Sequence, residues 1–243
     1  MPHPFFARSR PLVFAHRGGS ALAPENTIAA FDNAIALGAD GLELDVHLAR
    51  DGVVVVHHDK TLDRTTNLSG PVLARTADEL DRAGVPTLAR VLARYPELQV
   101  IIELKVNSVA LARAVVGAVD AAGAAPRVCL GSFGRRALRA ARQLAPAIAT
   151  SAAREEVRWA LYRARVRWPV SRVAYGGYQI PEWAGRTRVV SPRFIEYAHR
   201  AGLGVQVWTV DTEEAARRLL GWGVDALITD RPDIMVPLCK SLR

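Results

Sequence analysis

The chain has 243 residues, of which 50% are hydrophobic and 23% charged, with a formal net charge of +8 and two cysteines. That composition excludes disordered, fibrous and disulfide-scaffold proteins, and the length is enough for the one large core that an α/β barrel needs. The N-terminal MPHPFFARSRPLVFA lacks the basic-then-apolar layout of a signal peptide, and no later apolar run has the length of a membrane span, so a cytoplasmic protein is expected, with Cys129 and Cys239 reduced and structural.

Short runs rich in Val, Ile and Leu recur along the chain: LVFA at 12, LELDV at 42, VVVV at 53, VIIEL at 100, VCLGS at 128, AIAT at 147, VAYGGYQI at 173–180, VQVW at 205 and ALIT at 226. Helix-length segments separate most of them. In NTIAAFDNAIALG, Ile28, Phe31 and Ile35 share a face and Gly38 closes the C-terminal end, while SVALARAVVGAVDAAG and SPRFIEYAHRAG each carry a Ser before and a Gly after the periodic stretch. LELDVHLARDGVVVVHHD reads as a strand, a turn at Arg-Asp-Gly and a returning strand, so VVVV is a hairpin excursion and not a crossover strand. Setting it aside leaves eight βα units, which predicts a TIM-type (β/α)8 barrel over 1–243 with a small insertion after the second strand, at about 47–97.

Barrel chemistry gathers where strands end, and there the sequence places unusual residues. His16 and Arg17 follow the first strand, with Gly18 and Gly19 allowing a tight turn. Glu43 and Asp45, two apart on the second strand, point to one side; Glu103 and Lys105 stand in the same relation on VIIELK. His57 and His58 close the hairpin, and strand parity decides which of them faces the mouth. Three carboxylates suit Mg2+ or Ca2+, Arg17 and Lys105 suit phosphate oxygens, and the histidines suit proton transfer near neutral pH; together they describe metal-assisted cleavage of a phosphate ester. Glu25, in PENT, either orients His16 or a substrate hydroxyl or simply favours the helix dipole. Trp208 in VQVWTVD offers an apolar wall for the substrate or packs the core, and Asp230 in ITDRPD reads as a capping or turn residue.

AHRGGSALAPENTIAAF, GADGLELDVHLARDGVVVVHHDKTLDRTTN, VPTL, VIIELK, VWTVD and ALITDRPD resemble, in that order, the signature blocks of the glycerophosphodiester phosphodiesterase family, from about residue 12 to 236. The resemblance implies a TIM-type barrel that splits small-molecule glycerophosphodiesters into an alcohol and sn-glycerol 3-phosphate. It also implies that His16 and His58 are the acid and base, that Glu43, Asp45 and Glu103 bind a divalent metal, and that Arg17 and Lys105 hold the phosphate. The doubled histidine departs from the family wording, as does VPTLARVL, where acidic residues often follow the Leu.

Charge is uneven: residues 127–172 hold eleven arginines against Glu155 and Glu156 alone. The bland expectation is a solvated helix surface. In AREEVRWALYRARVRW, however, Val157, Leu161, Ala164 and Trp168 form a stripe with arginines opposite, resembling a surface-binding helix, although in a barrel that stripe should pack against the strands; the 154–172 segment is thus a candidate for peripheral membrane contact, and a lysophospholipase D acting on membrane lysophospholipids is the nearest alternative function. A non-catalytic polyanion binder is the alternative of another class; no nucleic-acid motif accompanies the arginines, and nucleic acid is not an expected partner. The sequence does not specify an oligomeric state.

Overall fold

The computed structural model describes residues 3–6, 10–169 and 173–241. Among the described residues there are eleven strands: β1 (Leu12–His16), β2 (Gly41–Leu48), β3 (Val54–Val56), β4 (Gln99–Leu104), β5 (Val128–Gly131), β6 (Ala149–Thr150), β7 (Gly177–Pro181), β8 (Trp183–Ala184), β9 (Thr187–Arg188), β10 (Gly204–Trp208) and β11 (Ala226–Thr229). They alternate with helices α1 (Ile28–Ala36), α2 (Ala77–Arg82), α3 (Leu88–Arg94), α4 (Val109–Ala121), α5 (Arg135–Leu144), α6 (Arg154–Arg165), α7 (Pro192–Arg200), α8 (Glu213–Gly221) and α9 (Pro232–Ser241).

Eight parallel strands run β6-β5-β4-β2-β1-β11-β10-β7, and a parallel bridge between Ser151 and Gly177 joins the two ends, closing the TIM-type barrel. All eight apolar runs chosen from the sequence are barrel strands. VVVV is β3, antiparallel to the far end of β2 with Val46 opposite Val56, as the hairpin reading requires. Helix starts follow the expected chemistry: the hydroxyls of Thr27, Ser108, Ser191 and Thr212 accept from backbone N–H groups of α1, α4, α7 and α8.

Alternation decides what fills the lumen. Leu12 and Phe14, Ile101, Cys129, Ala149, and Ala226 and Ile228 pack inward with Phe5 and Phe6, which plug the end where the strands begin. A Cβ at Gly177 would lie 2.5 Å from the Phe6 ring, and one at Gly41 2.5 Å from Phe14, so these glycines are the space the plug occupies. Outward-facing strand residues meet the helices in two larger clusters. Continuing the inward series on each strand brings His16, Glu43 and Asp45, Glu103, and Asp230 to the opposite end.

Between β2 and β4 the chain makes a small satellite core of Val55, Leu62, Val72, Leu80 and Val85 over a turn-rich segment, closed by α2 with a Thr76–Glu79 capping box. α3 then returns to the barrel wall through Leu88, Val91 and Leu92.

Candidate active site

Hydrogen-bonded register sets the rim: His16 lies beside Glu43 on the neighbouring strand, and Asp45 beside Glu103 on the next. After His16 the chain turns through Arg17, which has a φ of 51°, and Gly18, whose φ is 86° and where a Cβ would sit 2.8 Å from Ala30 and Phe31. This left-handed turn aims the Arg17 N–H at Glu43 Oε2, 3.1 Å away, and brings the guanidinium over Asp45, with Nε 3.3 Å from Oδ2 as an ion pair that lacks hydrogen-bond alignment. Asn26, also left-handed, donates from Nδ2 to Asp45 Oδ2 at 3.0 Å, and Lys105 Nζ stands 3.2 Å from Asp45 Oδ1.

Both imidazoles are held from behind by a carboxylate. The His16 Nδ1–H donates to Asp230 Oδ1 at 2.7 Å, leaving Nε2 3.8 Å from Glu43 Oε2. The His58 Nδ1–H donates to Asp59 Oδ1 at 2.6 Å. His58 lies in the field of Asp45, Lys105 and Arg17, whereas His57 is buried with Nε2 against the carbonyl of Thr61, 3.1 Å away. Of the doubled pair, His58 is therefore the one beside the other rim residues.

The two histidines are tuned in opposite directions. Burial alone would lower His16, but Glu43 and Asp230 outweigh it and hold the imidazole above its ordinary value. Burial lowers His58, Lys105 and Arg17 add to it, and Asp45 and Asp59 do not make up the difference. The carboxylates split likewise. Burial, helped by Asp45, raises Glu43, and burial with the nearby carboxylates pushes Glu103 up to about 8 despite Lys105. Glu103 Oε1 is buried without a hydrogen-bond partner, and any Cβ at Gly131 would collide with this carboxylate.

Glu25 does not touch His16. It accepts from Arg17 Nη1 at 3.2 Å and from Arg64 Nη2 and Nη1 at 2.6 and 3.0 Å, so that the two guanidiniums, against the effect of burial, hold it ionised below its usual range. Arg64 Nε donates in turn to Asp59 Oδ2 at 2.6 Å, so one arginine of the turn-rich insertion clasps the carboxylates behind Arg17 and His58. Trp208 is half-buried with its ring 6.0 Å from that of Phe133 in an edge-to-face contact, and the Arg154 guanidinium lies 4.9 Å above the exposed Phe133 ring.

Asp230 corrects a sequence expectation: it is no cap. The turn after β11 is instead held by Thr229, whose Oγ1 accepts from the Arg231 N–H and donates to Asp211, which also accepts from the Asp230 N–H, while Asp230 faces His16 and accepts from Ser20 Oγ at 2.6 Å. Parity could have found it, since Ala226 and Ile228 point into the lumen and residue 230 continues their series. Asn26 and Arg64 lie within the PENT and DRTTN stretches, but nothing short of the loop geometry pairs them with Asp45 and Asp59.

Among the described residues no three His, Cys, Asp or Glu groups are arranged as a cation cage. The donor chemistry at the rim nevertheless fits a hard divalent cation, because Glu43 and Glu103 are buried carboxyls whose ionised forms repel Asp45 and each other, and one Glu103 oxygen has no partner.

Comparison with known proteins agrees with this architecture. The glycerophosphoryl diester phosphodiesterase family model matches residues 16–234. A glycerophosphodiester phosphodiesterase of Caldanaerobacter subterraneus is 32% identical over 252 residues, covering 96% of this chain and 99% of that protein. A crystal structure of a glycerophosphodiester phosphodiesterase from Agrobacterium tumefaciens superposes with a TM-score of 0.78 at 30% identity, covering 93% and 99% of the two chains. An Oleispira antarctica phosphodiesterase in complex with its product sn-glycerol-3-phosphate superposes with a TM-score of 0.76 at 26% identity, covering 95% and 97%.

Proposed function

The chain belongs to the glycerophosphoryl diester phosphodiesterase family and is a phosphodiesterase of that kind, and on this premise we propose that it works in the cytoplasm on glycerophosphodiesters, with His16 as general acid and His58 as general base, releasing an alcohol and sn-glycerol 3-phosphate. The product held by the Oleispira relative supports that choice of substrate.

The observation that carries the histidine roles is their matched support and opposed tuning. With Nδ1–H bound to a carboxylate in each, Nε2 is the atom left to exchange protons. His16, raised, keeps its proton until the leaving alcohol oxygen needs it; His58, lowered, is neutral and takes a proton from the attacking oxygen. Arg17 and Lys105 draw the phosphate oxygens in against Asp45, and Asn26 holds that carboxylate while they exchange partners. Glu43, Asp45 and Glu103 hold Mg2+ or Ca2+, which when bound supplies further neutralisation of the phosphodiester charge. Trp208 and Phe133 form an apolar wall for the glycerol or the alcohol.

Release of glycerol 3-phosphate from glycerophosphodiesters with choline, ethanolamine, glycerol and inositol headgroups, in Mg2+, Ca2+ or EDTA, tests this. Metal-dependent release that EDTA abolishes is the expected result. Folded protein that releases nothing from this panel but cleaves lysophospholipids would replace the proposed substrate class.

A further inference from the structure

α5 and α6 bury one face each and present a different kind of surface on the other. On α6, Ala160 and Ala164 are buried and Val157 and Leu161 pack against the same core, so the stripe foreseen from the sequence is an inward one up to Ala164. Trp168 does not belong to it. Arg167 takes a φ of 57° just past the helix, and the Trp168 N–H turns back to the Arg163 carbonyl at 2.9 Å, a Schellman-type stop that throws Trp168 out to 61% exposure. Residues 170–172, the end of the basic segment, lie outside the described residues.

A second apolar series faces outward. Trp159, Tyr162 and Val166 follow each other at helical spacing and are 65, 55 and 50% exposed, with the Trp159 and Tyr162 rings edge to face at 6.0 Å. A shallow depression of about 510 Å³ between Glu155, Arg158, Trp159 and Tyr162 accompanies them. Arg158, Arg165 and Arg167 stand on the same helix or just past it, and Arg135, Arg136 and Arg139 on the neighbouring α5, with Arg135 facing the Trp159 side; all six are exposed, and none of them forms an ion pair among the described residues. Elsewhere arginines are largely matched: Arg10, Arg50, Arg90, Arg94, Arg188 and Arg231 each pair with a carboxylate.

We propose that the outward face of α5 and α6 is a docking surface for an anionic lipid bilayer, the aromatic side chains of α6 entering the interfacial layer while the unpaired arginines lie over the headgroups. Tryptophan and tyrosine have an apolar body and a polar edge suited to that layer, and guanidiniums near an anionic surface each add to its attraction. A second copy of the chain fits poorly, because an isologous contact would set these arginines against their own counterparts. Nucleic acid fits poorly too, because Trp159 and Tyr162 stand edge to face against each other and not as a row of separate platforms for successive bases. The surface uses no residue assigned to catalysis, so hydrolysis of a soluble glycerophosphodiester reports separately on the active site.

Cosedimentation of the full chain with vesicles of phosphatidylcholine alone, or mixed with phosphatidylglycerol, tests this. Binding to the anionic vesicles only, released by high salt, is expected, with Trp159→Ser/Trp168→Ser abolishing the blue shift of tryptophan fluorescence and Arg158→Glu or Arg139→Glu each lowering partitioning about five-fold or more. All these variants should hydrolyse glycerophosphocholine at the rate of the unaltered protein. Failure to bind anionic vesicles, undiminished binding by the variants, or a dimer in solution that Trp159→Ser dissociates would overturn the proposal. Retention of an RNA oligomer that the arginine variants lose, by protein that ignores the vesicles, would overturn it as well.

Discussion

The mouth of the barrel and the outer face of α5–α6 both concentrate positive charge, and they treat it in opposite ways. At the mouth the cations beside the site carboxylates are tied: Arg17 to Glu25 and Asp45, Lys105 to Asp45, Arg64 to Glu25 and Asp59. Arg17, Lys105 and the carboxylates they meet are largely buried, where an unmatched charge is costly, and in the proposed reaction a phosphate replaces Asp45 as their partner. On the helices the arginines are solvated and need no partner to fold, which leaves their field directed outward. Charge matched in a buried place suits chemistry on one small molecule, and charge left unmatched on the surface suits attraction to something large, which is the contrast the two proposals rest on.

Breaking the matched region should have the largest effect. His16→Ala is expected to lower kcat/KM for glycerophosphocholine by about 10³-fold with the far-UV spectrum unchanged, since general acid catalysis is lost and the barrel core is untouched. A folded variant retaining most of its activity would remove His16 from the reaction. Asp230→Asn should cost about 10²-fold and, more tellingly, should move the basic limb of the pH–rate profile to lower pH, because Asp230 is one of the two groups that hold the His16 proton. An unshifted limb would mean that Asp230 only positions the ring. Arg64→Met is next, at about ten-fold in kcat, with Arg64→Lys recovering little, because a single ammonium cannot clasp Glu25 and Asp59 together.

How far these residues were readable in advance follows from the range of the interactions. Glu43, Asp45 and Glu103 were legible because a two-residue period on an apolar strand decides the side chain's direction, and His16 because strand and turn are local. Asp230 obeys the same period, yet its partner lies 214 residues away and becomes visible only when β11 closes against β1. The choice of His58 over His57 depends on how the hairpin ends, with His57 drawn to the Thr61 carbonyl in a loop that has no repeat. Trp168 depends on a backbone turn set by one residue, Arg167, and Arg64 on the path of an irregular loop, neither of which a hydrophobic pattern announces.

A smaller effect concerns stability at the mouth in EDTA. The Glu103 carboxyl, raised from an ordinary 4.5 to about 8, binds its proton more tightly in the folded chain than in the unfolded one, so stability should fall as pH rises through that interval. Glu43, raised for the same reason of burial, adds to the slope. Glu103→Gln should flatten the dependence of Tm on pH, and Mg2+ or Ca2+ should raise the Tm of the unaltered protein more at pH 8 than at pH 5. A Tm that climbs over this range would show that these carboxyls ionise without penalty.

The smallest effect sharpens the comparison from the other side. Trp159 is 65% exposed, with its ring edge to face with Tyr162, so Trp159→Ser should change stability by no more than about 0.5 kcal/mol and leave hydrolysis of soluble substrate as it was. Leu161→Ser, two positions on but facing the core, should lower Tm clearly, because it puts a hydroxyl among apolar side chains. If thermal unfolding shows Trp159→Ser to be the more damaging of the pair, the outward series is structural, and the unmatched arginines around it are no more than a solvated helix surface. If the order holds, a large aromatic side chain is being kept on the surface at no benefit to the fold, which is the condition a docking residue must meet.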